Sequence, residues 1–184
     1  YFVADYHALT GAQDRERLIH ETYEVAATWL AFGLDPEQAV FYRQSDVRET
    51  FELSWILACF TPKGFRNKAH AYKAAADRNR EAGEPEDAGV GMGLYTYPVL
   101  MAADILIVDA DLVPVGKDQV QHVEIARDIA QRINHHYGEG TLHLPDHSLR
   151  AQTAIVPGLD GRKMSKSYGN TIPCFLPPRS FARR

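Results

Sequence analysis

Short apolar runs of strand character alternate along this chain with segments whose apolar residues recur at helical spacing. That alternation restricts the possible folds to α/β arrangements with a largely parallel sheet. Tyr1-Phe2-Val3-Ala4 reads as a strand, and Leu18, Thr22, Val25 and Trp29 with Leu30 then form one helix face, closed by Gly33 and Pro36. Ala39–Tyr42 is a second β-rich run. Ser45-Asp46 can cap the next helix, with Glu49 three residues beyond Asp46 and an end near Thr61-Pro62. Residues 63–82 read as a polar, basic helix in which Lys63, Arg66, Lys68, Lys73, Arg78 and Arg80 form a solvated face. Beyond the loop GEPEDAGVGMG, Ile105–Val108 is a candidate buried strand and Leu112–Val115 an extended piece. Asp118 is expected to open a helix, paired with Gln121, whose core face is Val123, Ala126, Ala130 and Ile133.

Composition narrows the class. With 184 residues, 45% of them hydrophobic, the chain can bury a domain-sized core. Cys59 and Cys174 form no CxxC pair, which argues against a disulfide scaffold or a zinc site and fits a reducing compartment. No apolar run approaches the roughly 18–20 residues a bilayer span needs. Residues 161–184 contain six basic residues and no acidic one, so the formal charge of -4 is the balance of a basic tail on an acidic body. The chain starts at Tyr1 inside a strand, without an initiator methionine, and is expected to be a fragment.

Four places could carry chemistry. In VPVGKDQVQH, Gly116 permits close backbone approach, and a helix starting at Asp118 presents free N–H groups and its positive dipole end. Asp118 could take ribose hydroxyls or simply cap the helix. Asp104, within MAADILIV, is a carboxylate among apolar residues and must be paired or hydrogen-bonded. Its partner could be an indole or phenol donor of a ligand, or a structural donor of the protein. Tyr97 and Met101, four apart, would share a face if this stretch is helical; they would then be core or, with Asp104, line an apolar pocket with one polar anchor. His7 follows the first strand, where functional residues of α/β folds cluster. The pair His135-His136 lacks metal-ligand spacing. In KMSKS, Lys163 and Lys166 lie three apart on a glycine-flanked loop, placed to grip one polyphosphate from two sides.

The string GRKMSKSYGNTIP resembles the signature loop of the class I aminoacyl-tRNA synthetases. Together with ADYHALT, FYRQSDV, NKAHAYKAAADRNREAG, DAGVGMGLYTYPVLMAADIL, DLVPVGKDQVQHVEIARDIAQRIN and VPGLDGRKMSKS, it resembles their bacterial tryptophan-specific branch from residue 1 to about 178. The resemblance implies a Rossmann-like, doubly wound domain over 1–178, with a helical insertion at about 45–92, incomplete at both ends, and a basic tail at 179–184. It implies ATP-dependent activation of tryptophan with Mg2+, transfer to tRNA(Trp), a homodimer and a cytoplasmic location. Asp104 would accept the indole N–H, while Tyr97, Met101, Val113, Val115, Gln119 and His7 would form or border the tryptophan pocket. Gly116, Lys117 and Asp118 would face ribose and adenine, with Ile155 or Val156 against the adenine. Lys163, Met164, Ser165, Lys166 and Ser167 would close over the triphosphate, and Lys163, Lys166 and Ser167 would act in catalysis. The family's HIGH-like motif is expected upstream of Tyr1, and its anticodon-reading domain downstream. Tyrosine specificity and a non-catalytic fragment that binds tryptophan, nucleotide or RNA are the competing expectations.

Overall fold

Two helices supply most of the core, and the strands deliver loops to one edge of it. The computed structural model describes residues 1–66, 70–149, 156–165 and 168–174. Helix α6 (Met92–Leu106) packs against α7 (Val120–Tyr137) on one side and α3 (Glu49–Cys59) on the other. Their contact is made by Leu57 of α3, Val99, Ala102, Ala103, Ile105 and Leu106 of α6, and Val123, Ile125, Ala126, Ile129, Ala130 and Ile133 of α7. Ala102, Ala103, Ala126 and Ala130 are fully buried, and their small side chains let the backbones approach closely. Each buried Leu, Ile or Val contributes about 1.5–3 kcal/mol over leaving it in water. All four core positions expected for the helix after Asp118 are buried.

The strands are short and parallel. β1 (Phe2–Val3) pairs with β2 (Tyr42–Arg43), setting Phe2 beside Tyr42 and Val3 beside Arg43. β3 (Leu112–Pro114) pairs with β4 (Asp146–Ser148), setting Val113 beside His147. Parallel pairing brings the carboxyl ends of β1 and β2 to one edge. Helix α1 (Asp5–Ala8) leaves β1 there, and the 3-10 turn Gln44–Asp46 leaves β2 beside it. The α/β class with parallel strands thus agrees with the sequence reading.

Several local expectations are corrected. Ile105–Val108 is not a strand: Ile105 and Leu106 complete the last turn of α6, which runs through the buried Pro98 without ending. A short apolar run looks alike in a buried strand and a buried helix end. Asp46 does not cap α3. Its carboxylate turns back to the backbone and guanidinium of Arg43, closing the 3-10 turn, and α3 starts at Glu49. Asp118 does not cap α7 either, because Lys163 and Gln119 occupy its carboxylate. The basic helix divides into α4 (Lys63–Arg66) and α5 (His70–Glu81), with Lys68 outside the described residues. Lys63, Lys73, Arg78 and Arg80 are solvated as expected. Helix α2 (Arg15–Ala31) is capped by Asp14, which accepts from the Arg17 amide. None of its residues is buried: Val25 and Trp29 remain exposed, and Trp29 packs against the rings of Tyr1 and Phe41.

Candidate functional site

The carboxyl ends of β1 and β2 meet α6 at Asp104. This carboxylate is 7% exposed, and three contacts hold it. The Gln44 side-chain amide donates to Oδ1 at 2.8 Å and Oδ2 at 2.9 Å, and His7 Nε2 lies 2.9 Å from Oδ2. A carboxylate oxygen accepts, so in this contact His7 is the donor, from Nε2. The negative charge registers next door: the Tyr42 phenol is pushed up, first by burial and then by Asp104. Tyr97 stands one and two turns before Met101 and Asp104 on α6, its ring 6.1 Å from the His7 ring and its hydroxyl 3.2 Å from His122 Nε2. Burial pushes the Tyr97 phenol up as well, so it stays protonated at neutral pH.

A second group forms where β3 enters α7. The Val115 amide donates to Ser148 of the neighbouring strand, which fixes the approach of Gly116. Gly116 is extended, at φ -74° and ψ 161°, and precedes the 3-10 turn Lys117–Gln119 that leads into α7. Asp118 Oδ2 receives Lys163 Nζ at 3.1 Å and Gln119 Nε2 at 3.2 Å. The Lys163 contact, then the Gln119 contact, holds the Asp118 carboxyl below its usual range. The lysine loop therefore reaches this helix start through an ion pair.

The loop has its own frame. Pro157 bridges Lys163 in antiparallel fashion, with Gly158 N to Arg162 O at 2.7 Å and Met164 N to Val156 O at 2.8 Å. Asn170, 8% exposed, is its central tie: Oδ1 accepts from Ser165 N, and Nδ2 donates to Asp160 Oδ1 and Lys163 O. Asp160 also takes the Arg162 backbone and guanidinium, and these donors, Asn170 foremost, hold its carboxyl below the usual range. Gly158 must be glycine here, since a Cβ would sit 2.5 Å from Asn170 Nδ2.

Of the residues expected to bind tryptophan, His7 is brought against both the Asp104 carboxylate and the Tyr97 ring. Met101 is half-buried on the Tyr97–Asp104 helix, Val113 and Val115 pack against the core from β3, and Gln119 touches Asp118. Of the nucleotide group, Gly116, Lys117, Asp118 and Lys163 converge, Met164 and Ser165 are half-buried in the loop frame, and Val156 is exposed, its carbonyl bonded to Met164. Ile155, Lys166 and Ser167 lie outside the described residues. A cleft of about 860 Å3 opens beside the Asp104 cluster, with His7, Tyr97, Phe51 and Trp55 among its walls. Sequence reasoning did not single out Gln44, Asn170 or Asp160. The glycines at 158, 161 and 169 were the available signal for the last two. Among the described residues no group of three or more His, Cys, Asp or Glu could hold a metal ion, and no helix is long and apolar enough to cross a membrane.

The sequence profile of the class I tRNA synthetases (W and Y) matches residues 1–178. The tryptophan--tRNA ligase of Xanthomonas axonopodis pv. citri is 63% identical over 177 residues, covering 96% of this chain and 41% of that protein. That of Pseudomonas aeruginosa is 62% identical over 181 residues, covering 97% and 40%. The chain thus spans about two fifths of the length of these relatives. The crystal structure of tryptophanyl-tRNA synthetase from Campylobacter jejuni complexed with ADP and tryptophan superposes with a TM-score of 0.82 at 49% identity, covering 96% of this chain and 52% of that one. The chain belongs to the class I tRNA synthetases for tryptophan and tyrosine, and its similarity to tryptophan--tRNA ligases lies in the α/β catalytic region.

Proposed function

We propose that this chain is the catalytic part of a tryptophan–tRNA ligase. The tryptophan carboxylate attacks the α-phosphorus of ATP and expels pyrophosphate, giving tryptophanyl-adenylate. A terminal ribose hydroxyl of tRNA(Trp) then attacks the activated carbonyl and releases AMP. The observation that carries this reading is the buried Asp104 carboxylate, held by Gln44 and His7, on the same helix as Tyr97 and Met101. An ionised carboxylate only accepts hydrogen bonds and an indole N–H only donates, so the two are complementary. In this reading His7, Val113, Val115 and Gln119 border the indole, and Asp104 fixes its orientation.

ATP lies across the start of α7. The amides after Gly116 and the helix dipole favour anionic groups there, with Lys117 and Asp118 on the ribose side and Ile155 or Val156 against the adenine. Lys163 exchanges Asp118 for the phosphates, joined by Lys166 and Ser167, with Met164 and Ser165 carrying the loop. The lysines then neutralise charge that grows on the departing pyrophosphate. Mg2+ supplies further charge neutralisation when bound. It is expected to enter on ATP's phosphate oxygens, because it keeps much of its hydration and uses few protein ligands.

The outward face of α3 carries exposed Phe51, Trp55 and Ile56, which supports a homodimer. Use of tRNA supports a cytoplasmic location. Tryptophan-dependent ATP–pyrophosphate exchange by the full-length protein, with tyrosine as control, tests the proposal. Exchange with tyrosine alone would overturn the specificity, and exchange with neither amino acid would overturn the activity.

A further inference from the structure

We propose that Gln44 is the positioning residue of the amino-acid pocket: it orients Asp104 and His7 together and leaves Oδ1 of Asp104 with acceptor capacity for the substrate's N–H donor. This rests on the tryptophan reading above. Gln44 is 1% exposed and reaches both elements with one amide. Its Oε1 accepts from Tyr6 N at 3.1 Å and His7 N at 3.4 Å, the amides of the first turn of α1. The residue preceding that helix, Ala4, has no side chain able to cap it, so Gln44 supplies the cap from the neighbouring strand end. Its Nε2 donates to both oxygens of Asp104.

This orientation is chemically fixed. A flipped amide would set NH2 against two N–H donors and its oxygen against a carboxylate. His7 takes a further position on Oδ2, whereas Oδ1 has Gln44 as its side-chain partner among the described residues. A carboxylate has about four acceptor positions. Oδ1 therefore retains capacity for a ligand N–H, while Oδ2 is committed to the protein. Gln44 thus couples the backbone that aims His7 to the carboxylate that receives the substrate, without touching the substrate itself.

Two substitutions test this in the full-length protein. Gln44→Met keeps the bulk and removes both sets of hydrogen bonds. It is expected to raise KM for tryptophan roughly ten- to a hundredfold, the scale of a lost hydrogen bond to a charged group, with a much smaller change in kcat. Gln44→Glu keeps the acceptor for Tyr6 and His7 but sets a carboxyl against Asp104. At low pH one carboxyl holds a proton and can still donate; at higher pH both are charged and repel. Its KM for tryptophan is therefore expected to climb with pH where the wild-type value is flat.

The other titratable groups around the pair are His7 and Asp5 on α1, Tyr42 on β2, the Arg43–Asp46 pair, Tyr97 on α6 and His122 on α7. They are common to both proteins, so the difference profile isolates position 44. A merely structural role would lower Tm and the amount of active enzyme, and would leave KM and its pH profile as in wild type. That result overturns the proposal. Should wild type show no tryptophan-dependent exchange, the substrate reading falls, and the NMR titration of His7 decides Gln44's part. An added negative charge beside Asp104 is expected to move the His7 titration to higher pH in Gln44→Glu, and an unmoved titration refutes the coupling.

Discussion

Asp104 and Lys163 carry opposite charges in opposite surroundings, and each is expected to fail differently when changed. Asp104 is buried, with Gln44 on both carboxylate oxygens and His7 on one, and its role is expected to be ground-state recognition. Asp104→Asn puts an amide donor among the donors Gln44 and His7, and is expected to raise KM for tryptophan at least tenfold in pyrophosphate exchange. Lys163 is half exposed, and its ammonium sits on Asp118 rather than in a fixed cage. Its work is expected in the transition state: Lys163→Ala is predicted to lower kcat for activation by roughly a hundredfold or more, with tryptophan KM little changed. Equal effects on both constants would refute the assignment. The Asp118 contact also sets a pH dependence. Asp118's carboxyl is held below its free value, so the contact is present above the usual carboxylate range and is lost as pH falls through the depressed value. The NMR signal of the Lys163 ammonium is expected to shift on acidification in wild type and not in Asp118→Asn. With both partners 52% exposed, added salt should weaken the pair.

For the elements, spacing and turn signals in the sequence were enough to place α2, α3 and α7 and the loop that carries Lys163, whereas α6 was visible only as an apolar block. Hydrophobic period locates a helix face wherever the face is buried, as with Val123, Ala126, Ala130 and Ile133. It could not separate Ile105 and Leu106 from a strand, because burial on every side erases the period. It also gave no account of Gln44, whose importance lies in partners 38 and 60 residues away. Local capping signals failed at Asp46 and Asp118 for a related reason: an arginine or a distant lysine offered a stronger, charged partner. The signature loop was visible as a string, while its frame was not. That frame makes its own prediction. Asn170→Ala removes the acceptor of Ser165 N and the donor to Asp160 and Lys163 O at once, and Gly158→Ala drives a methyl into Asn170. Both are expected to lower the activation rate at least tenfold while Tm changes by only a few degrees, because the α3–α6–α7 core lies elsewhere. A thermal unfolding curve beside the exchange assay separates the two effects.

Across the whole molecule, α3 is apolar on both sides, and only one side meets the core. Leu57 is fully buried against α6, with Leu53 and Ala58 beside it, while Phe51, Trp55 and Ile56 face away. Large apolar side chains left uncovered beside one another mark a contact surface. Trp55 is 72% exposed, and both Phe51 and Trp55 border the cleft next to His7 and Tyr97. A partner seated on this face would therefore lie against the cleft beside His7 and Tyr97 and could influence it through the cleft walls. If that partner is a second copy, the same patch is used twice about a two-fold axis, and one substitution acts on both halves of the interface. Trp55→Glu is expected to convert the full-length protein from dimer to monomer in sedimentation at micromolar concentration. Leu57→Ala, on the opposite side of the same helix, is expected to cost about 2–5 kcal/mol in unfolding by core truncation while dimerisation persists under native conditions. A dimer unaffected by Trp55→Glu would place the interface elsewhere. A wild-type monomer would remove the homodimer altogether and leave this face to another part of the protein.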